Sequence, residues 1–224
     1  MIPFRFSTSF TLQEATGLRA ATLPQLVTLL KKVPEGCLYY HTHYFLLTHH
    51  YLTPEPTNDF AYWVHEVLSE EALGEQLASL DIMAHTTLEG LRETLVNTIE
   101  AYLAQHPTAR LKFVSEGEEF FFVKSLHVIM PTRHQASTLA EFLQALSQVS
   151  IHSLYFHIFE ARLRIGHPTN DFAIWFDEQL GLKELAERVA TLDPYAQTLE
   201  ALRSILISLI QQEPSGQEIA HAKP

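Results

Sequence analysis

The chain has 224 residues, 46% of them hydrophobic and 18% charged, with 8 Gly and 11 Pro, which gives material for one large or two small packed domains and excludes wholesale disorder. Fifteen Lys and Arg against 26 Asp and Glu leave a formal charge of −11, which excludes a protein whose main partner is a nucleic-acid backbone. The single cysteine, Cys37, excludes an internal disulfide and any Cys-rich zinc module.

The first segment, Met1-Ile2-Pro3-Phe4-Arg5-Phe6, lacks the basic start and long apolar stretch of an export signal. The most apolar run, Phe120 to Pro131, contains Lys124 and His127 and falls short of the ~20 residues a spanning helix needs. A cytoplasmic protein with no membrane partner is expected. Phe4–Phe10 is β-branched and aromatic enough to be a strand. Thr22 is a candidate N-cap for a helix running to about Val33, with Leu23, Leu26, Leu29 and Leu30 at helical spacing. A break at Pro34-Glu35-Gly36 precedes a histidine-rich helix over about Cys37–Tyr51, which the Pro-containing stretch Leu52–Thr57 ends. Asn58-Asp59 then stands where a side-chain oxygen would cap a helix opening Phe-Ala-x-Trp. Asp81 reads as a further cap, and a long helix follows over about Thr87–Gln105.

The chain then repeats itself. Sliding it by 116 positions lays Phe4–Leu47 on Phe120–Leu163 without a gap, with 13 identities in 44 pairs. Leu38-Tyr39-Tyr40-His41 falls on Leu154-Tyr155-Phe156-His157, and at an offset of 112 Asn58-Asp59-Phe60-Ala61 falls on Asn170-Asp171-Phe172-Ala173. Trp63 meets Trp175 and Asp81 meets Asp193. At an offset of 111, Thr87-Leu88-Glu89 and Leu91-Arg92 recur as Thr198-Leu199-Glu200 and Leu202-Arg203. The second copy therefore predicts a strand over Phe120–Val128 and helices over about Thr138–Val149, Ser153–Ile165 and Thr198–Gln212. The fold class is mainly α with a minor β element: a tandem duplication of a strand-plus-helices unit. Single strands do not stand alone, so the two are expected to pair across a pseudo-twofold. Repeat 1 occupies 1–105, a linker 106–119, repeat 2 120–212 and a disordered tail 213–224.

These motifs, the repeated Leu-Tyr-x-His and Asn-Asp-Phe-Ala-x-Trp, resemble an uncharacterised prokaryotic domain-of-unknown-function family of two-repeat helical proteins. The resemblance spans Phe4 to about Gln212 and implies a shared architecture. It brings no established activity or catalytic residue.

Chemistry is most concentrated on the helix Tyr39-Tyr40-His41-Thr42-His43-Tyr44-Phe45-Leu46-Leu47-Thr48-His49-His50. In a regular helix His41 and His43 project in nearly opposite directions, so they do not suit one metal. Of the four histidines only His41 has a repeat partner, His157. Glu160 lies three residues beyond His157, a spacing at which imidazole and carboxylate reach one zinc, iron or manganese ion. If the central helices meet, His41, His157 and Glu160 form a candidate metal triad. The alternative is a polar core contact, with Glu160 paired to Arg164 and the histidines hydrogen-bonded internally. A third reading is a small-ligand pocket lined by Tyr39, Tyr40, His41, Trp63, Tyr155, His157 and Trp175. Asn58-Asp59 and Asn170-Asp171 are better explained by capping than by acid–base chemistry, Trp63 and Trp175 by core packing. Cys37, at a helix start, is a candidate for a lowered thiol pKa, though Ser153 in its place in the second copy favours a capping role.

Phosphate-binding, dinucleotide, zinc-protease and serine-hydrolase signatures are absent. The Glu-x-x-His of di-iron bundles occurs only at Glu218–His221, in the tail. The expected function is therefore a non-catalytic small-ligand-binding or regulatory protein that uses a groove between two homologous helical halves, with a small molecule or protein as partner. The alternatives are a metal-dependent enzyme with a two-histidine, one-carboxylate site and a structural or scaffolding protein. The cofactor, if one exists, and the oligomeric state are not written in the sequence.

Overall fold

The computed structural model describes residues 1–48, 57–193 and 198–213. It is mainly helical with one two-stranded antiparallel sheet. Strand β1 is Phe4–Ala20 and β2 is Phe120–Ala136. The Thr132 hydroxyl donates to the Phe6 carbonyl and the Thr16 hydroxyl to the Phe122 carbonyl, while Arg19 meets Glu119 and Lys124 meets Glu14. All four contacts belong to one register, in which the two residue numbers total 138. Both strands run well past their expected ends at Phe10 and Val128. The added residues are mostly exposed, so cross-strand hydrogen bonding sustains them rather than burial of a hydrophobic face.

Two compact units divide the chain, and each takes part of both strands. The first comprises residues 11–48 and 57–126. Its helices are α1 (Leu23–Leu30), α2 (35–48), α3 (59–67), α4 (Glu71–Ala78) and α5 (Leu88–Gln105). The second comprises residues 1–10 with the described part of 127–213. Its helices are α6 (Leu139–Leu146), α7 (151–165), α8 (Asp171–Leu180), α9 (Lys183–Ala190) and α10 (Leu199–Gln211).

The capping signals act as read. Thr22, Asn58, Thr87, Thr138, Asn170 and Thr198 each accept a hydrogen bond from the backbone N–H three residues on. Asp81 caps the short 3-10 turn Ile82–Ala84. Asp193 is the last residue before 194–197, so any element it would cap lies outside the described residues. The 106–119 segment holds a 3-10 turn, Pro107–Leu111, and buries Ala109 and Val114. Helix α2 begins at Glu35, immediately after Pro34, and α7 begins at Ile151 with the Ser150 hydroxyl as its cap. Cys37 is therefore inside a helix and fully buried. Burial pushes its thiol above the ordinary value, outweighing Lys124 and Arg92, which is the reverse of an activated cysteine. The expected end of the histidine helix, Leu52–Thr57 up to Pro56, and the tail from Pro214 lie outside the described residues. So do His49, His50 and Glu218–His221.

The arginine of the recurring Leu-Arg pair closes helix ends. Arg92 of α5 donates to the Leu30 carbonyl at the end of α1, and Arg203 of α10 donates to the carbonyls of Leu146 and Val149 at 2.6 and 2.8 Å. Each guanidinium satisfies C-terminal carbonyls that a helix leaves without an intrahelical partner. Among the described residues no helix is long and apolar enough to cross a membrane.

The aromatic starts of the strands carry the core. Phe6 is fully buried, with ring centroids 5.1 Å from Phe142 and 5.9 Å from Phe172 in the second unit. Phe122 and Phe120 take the corresponding position against Phe60 in the first unit. Phe6→Ala is expected to cost about 3–5 kcal/mol. Hydrogen exchange checks its location: protection should fall more in α6–α10 than in α1–α5, although Phe6 stands at the other end of the sequence.

Candidate functional site

Helices α2 and α7 share an irregularity that the regular-helix reading did not anticipate. Tyr40–Tyr44 and Phe156–Glu160 are π-helical turns, one residue wider per turn than α-helix. In α2 the Thr42 hydroxyl donates to the Leu38 carbonyl at 2.6 Å, occupying an acceptor of the regular i to i+4 ladder. Ile158 stands at the corresponding place in α7, where the wide turn forms without a hydroxyl.

Each of these two π turns presents one buried histidine to a strand, unlike the π turn Trp63–Val67 of α3, whose His65 is not buried. His41 is 4% exposed; its Nδ1 lies 2.7 Å from Asp59 Oδ2, and its Nε2 accepts the Val123 amide at 3.0 Å. His157 is equally buried, with Nδ1 2.7 Å from Asp171 Oδ2 and Nε2 accepting the Ser7 amide at 2.8 Å. An amide hydrogen aimed at Nε2 requires a lone pair there, so in both rings the proton sits on Nδ1 and is donated to the aspartate. Aromatic rings enclose both couples: Phe60, Phe120 and Phe122 around His41, and Phe4, Phe6 and Phe172 around His157.

The second couple is more elaborate. Arg164 reaches Asp171 Oδ2 at 2.6 Å while its guanidinium lies 4.3 Å above the Phe156 ring. Burial opposes the charge on Asp171, but hydrogen bonds from His157 and Arg164 outweigh it and hold the carboxyl below its ordinary range. Burial lowers the pKa of His157, against the pull of Asp171. The couple is thus a neutral imidazole beside an ionised carboxylate. Arg164 is committed to Asp171 rather than to Glu160, the partner expected from i, i+4 spacing. Glu160 is buried, 6% exposed, and accepts the Ser9 hydroxyl at 3.1 Å.

The other predicted residues also make internal contacts. The Trp63 indole donates to the Glu118 carbonyl at 2.8 Å and the Trp175 indole to the Ile2 carbonyl at 2.9 Å, each fastening the chain just before a strand. Tyr39 stacks on His43, whose Nδ1 meets the Thr42 hydroxyl at 3.0 Å. Tyr155 is 1% exposed and packs against Phe159. Tyr40, half-buried, stacks on Tyr44; burial and the nearby Asp59 raise its phenol pKa. Two surface clefts in the first unit, of about 550 and 300 Å3, are lined by other residues, among them His65 and Glu75, and Lys31 and Arg110.

Among the described residues no three His, Cys, Asp or Glu side chains form a group able to hold a metal ion, and His41, His157 and Glu160 are not such a group. The physical reason lies in each ring: metal coordination needs a free imidazole lone pair, and the one on Nε2 is already engaged by a strand amide. The sequence reading missed Asp59 and Asp171 as histidine partners. A signal was present, because a helix cap uses one residue and both Asn and Asp recur. The asparagine caps the helix and the aspartate reaches back to the histidine.

The fold and site define a class: a helical protein with two buried His–Asp couples, each bound to a strand amide. A family model described as a family of unknown function, DUF5752, matches residues 1–211, and the chain belongs to that family. The chain is similar to OrfY from Thermoproteus tenax, whose solved structure is 29% identical over 96% of both chains with a TM-score of 0.80. No curated protein matches it.

Because the pKa of His157 lies below its ordinary 6.5 in the fold, its contribution to stability is present above pH 6.5 and is lost as pH falls through the folded value. His157→Gln is expected to cost about 1–3 kcal/mol at pH 7.5, since the Ser7 amide and Asp171 lose a matched partner. Urea unfolding at pH 7.5 and 5.5 measures this; the gap between the proteins should narrow at the lower pH.

Proposed function

We propose that this protein is a non-catalytic binding protein of a regulatory kind, and that it engages its partner through strand surface rather than through its histidines and tryptophans. One observation carries the reading. Among the described residues, eight of the thirteen exposed large hydrophobic side chains stand on the two strands: Phe10, Leu12, Leu18, Phe121, Leu126, Val128, Ile129 and Met130. Single exposed apolar residues are ordinary, but their concentration on one element type marks interaction surface. The residues with the chemistry of a site are meanwhile occupied in holding the core.

In this reading the chain is a cytoplasmic tandem duplication whose halves are related by a pseudo-twofold. The recurrence of the His–Asp–amide arrangement, the indole-to-carbonyl bonds and the arginine-closed helix ends supports that descent. A partner bound through strands then needs no turnover and no metal.

Photo-crosslinking tests this. A benzophenone side chain at position 128, and separately at 12, should give one discrete adduct in the source cells, whereas position 62, exposed on a helix, should give none. Excess purified protein should suppress the adduct, and excess Val128→Ser/Met130→Ser should not. Absence of any strand-specific adduct overturns the reading.

A further inference from the structure

We infer that the strand surface of the second unit docks an acidic, apolar protein segment; this rests on the binding reading above and names the chemistry of its partner. Residues 1–10 and 127–136 contain no Asp or Glu, in a chain that has 26 of them. They contain Arg5 and Arg133, with His127 and His134. Removing the two arginines from the total leaves the rest of the chain at −13, from 13 Lys and Arg and 26 Asp and Glu. This part of the strands is therefore a basic island on an acidic protein.

The sheet sharpens the point. The Thr132 hydroxyl donates to the Phe6 carbonyl, which brings Arg133 and Arg5, the chain neighbours of these two residues, to facing stretches of the two strands. Both arginines are exposed, and neither is ion-paired with a described carboxylate. Like charges close together across a sheet are unfavourable by themselves. Elsewhere the sheet neutralises its cations across the strands, Arg19 with Glu119 and Lys124 with Glu14. Here no described carboxylate does so, which leaves both guanidinium groups open to an acid from a partner. On the same stretch Phe10, Val128, Ile129 and Met130 are 45–54% exposed. Arginine with aromatic, aliphatic and methionine side chains, free of acids, is the composition of a protein interface core. An anionic lipid surface would share the headgroup charge but would meet a chain of −11, which repels it. Pro131 lacks an amide on β2 and hinders the addition of a third strand, so the segment is expected to dock by its side chains.

The probe is a fluorescein-labelled 16-residue peptide of glutamate and leucine in amphipathic spacing, with the lysine–leucine peptide as its control, read by anisotropy on the full chain. The wild type should bind the glutamate peptide and not the lysine peptide, and raising salt from about 0.1 to about 0.5 M should weaken binding. Arg5→Glu/Arg133→Glu should bind the glutamate peptide at least tenfold more weakly and acquire affinity for the lysine peptide, while its melting temperature stays near that of the wild type. Phe10→Ser alone should also weaken binding. No binding, equal binding of both peptides, or attachment to phosphatidylglycerol vesicles in place of the peptide overturns the inference. Failure here with a persistent adduct at position 128 leaves the strand-binding reading standing; loss of both removes it.

Discussion

The rest of each unit depends on one hydrogen bond, between a strand amide and the Nε2 of a buried histidine. A two-stranded sheet has an open outer edge on each strand, and wherever helices cover that edge its amides lose water. An amide buried without an acceptor costs about 1–3 kcal/mol. Ser7 in the second unit and Val123 in the first carry partly buried strand amides, and an imidazole supplies the acceptor in each case. A carbonyl or hydroxyl could accept as well, but imidazole also carries an aromatic face that packs among phenylalanines. The aspartate completes the device by fixing the tautomer, since a ring with its proton on Nε2 would set donor against donor.

The wide helical turn follows from the same requirement. Leu38 and Leu154 are fully buried, Tyr39 and Tyr155 nearly so, and the histidine two or three residues on must still turn toward the strand. One extra residue in the turn rotates the following side chains relative to a regular helix. In the first unit Thr42 stabilises that geometry, and in the second the surrounding packing does so without it. The couples also differ in their electrostatics. Asp171 has Arg164 as a second partner, whereas the residue aligned with Arg164 is Thr48, which bonds to the carbonyls of Tyr44 and Phe45. The side chain of Asp59 is correspondingly more exposed, at 31% against 20%. The first carboxylate is the more open to solvent, and a guanidinium assists the second.

Much of this was legible in the sequence. Thr22, Asn58, Thr87 and their second-copy counterparts announced helix starts because capping is a local interaction between residues three apart. The burial of Trp63 and Trp175 was legible from their spacing beyond the caps. The length of the strands was not, because Thr11–Arg19 lacks an alternating apolar pattern and is held by hydrogen bonds to residues about a hundred positions away. The π turns were not, because wide turns have no sequence period of their own. The His–Asp couples were half legible. The repeat marked His41 and His157 as the histidines to watch, but their partners lie beyond a proline-bearing stretch of sequence across which no periodicity runs.

An exposed apolar strand is a liability that proteins ordinarily blunt with charge, proline or cover. This chain uses two of those devices, Lys124 paired to Glu14 and Pro131 on β2, yet retains Phe10, Val128 and Met130 near the proline. If the surface served only to close the core, polar residues would be cheaper there, since these side chains bury little and each exposed aliphatic group invites association. Aggregation is opposed instead by the net charge of −11, carried mainly outside the strands, which keeps like molecules apart at long range. That arrangement is selective by sign. Copies of the chain repel one another as wholes, whereas a short acidic segment is small enough to approach the basic stretch closely, within the range where screening no longer hides Arg5 and Arg133. In the proposed complex the apolar side chains contribute affinity and the arginines choice of partner, a division of labour that a surface built only of one kind could not supply.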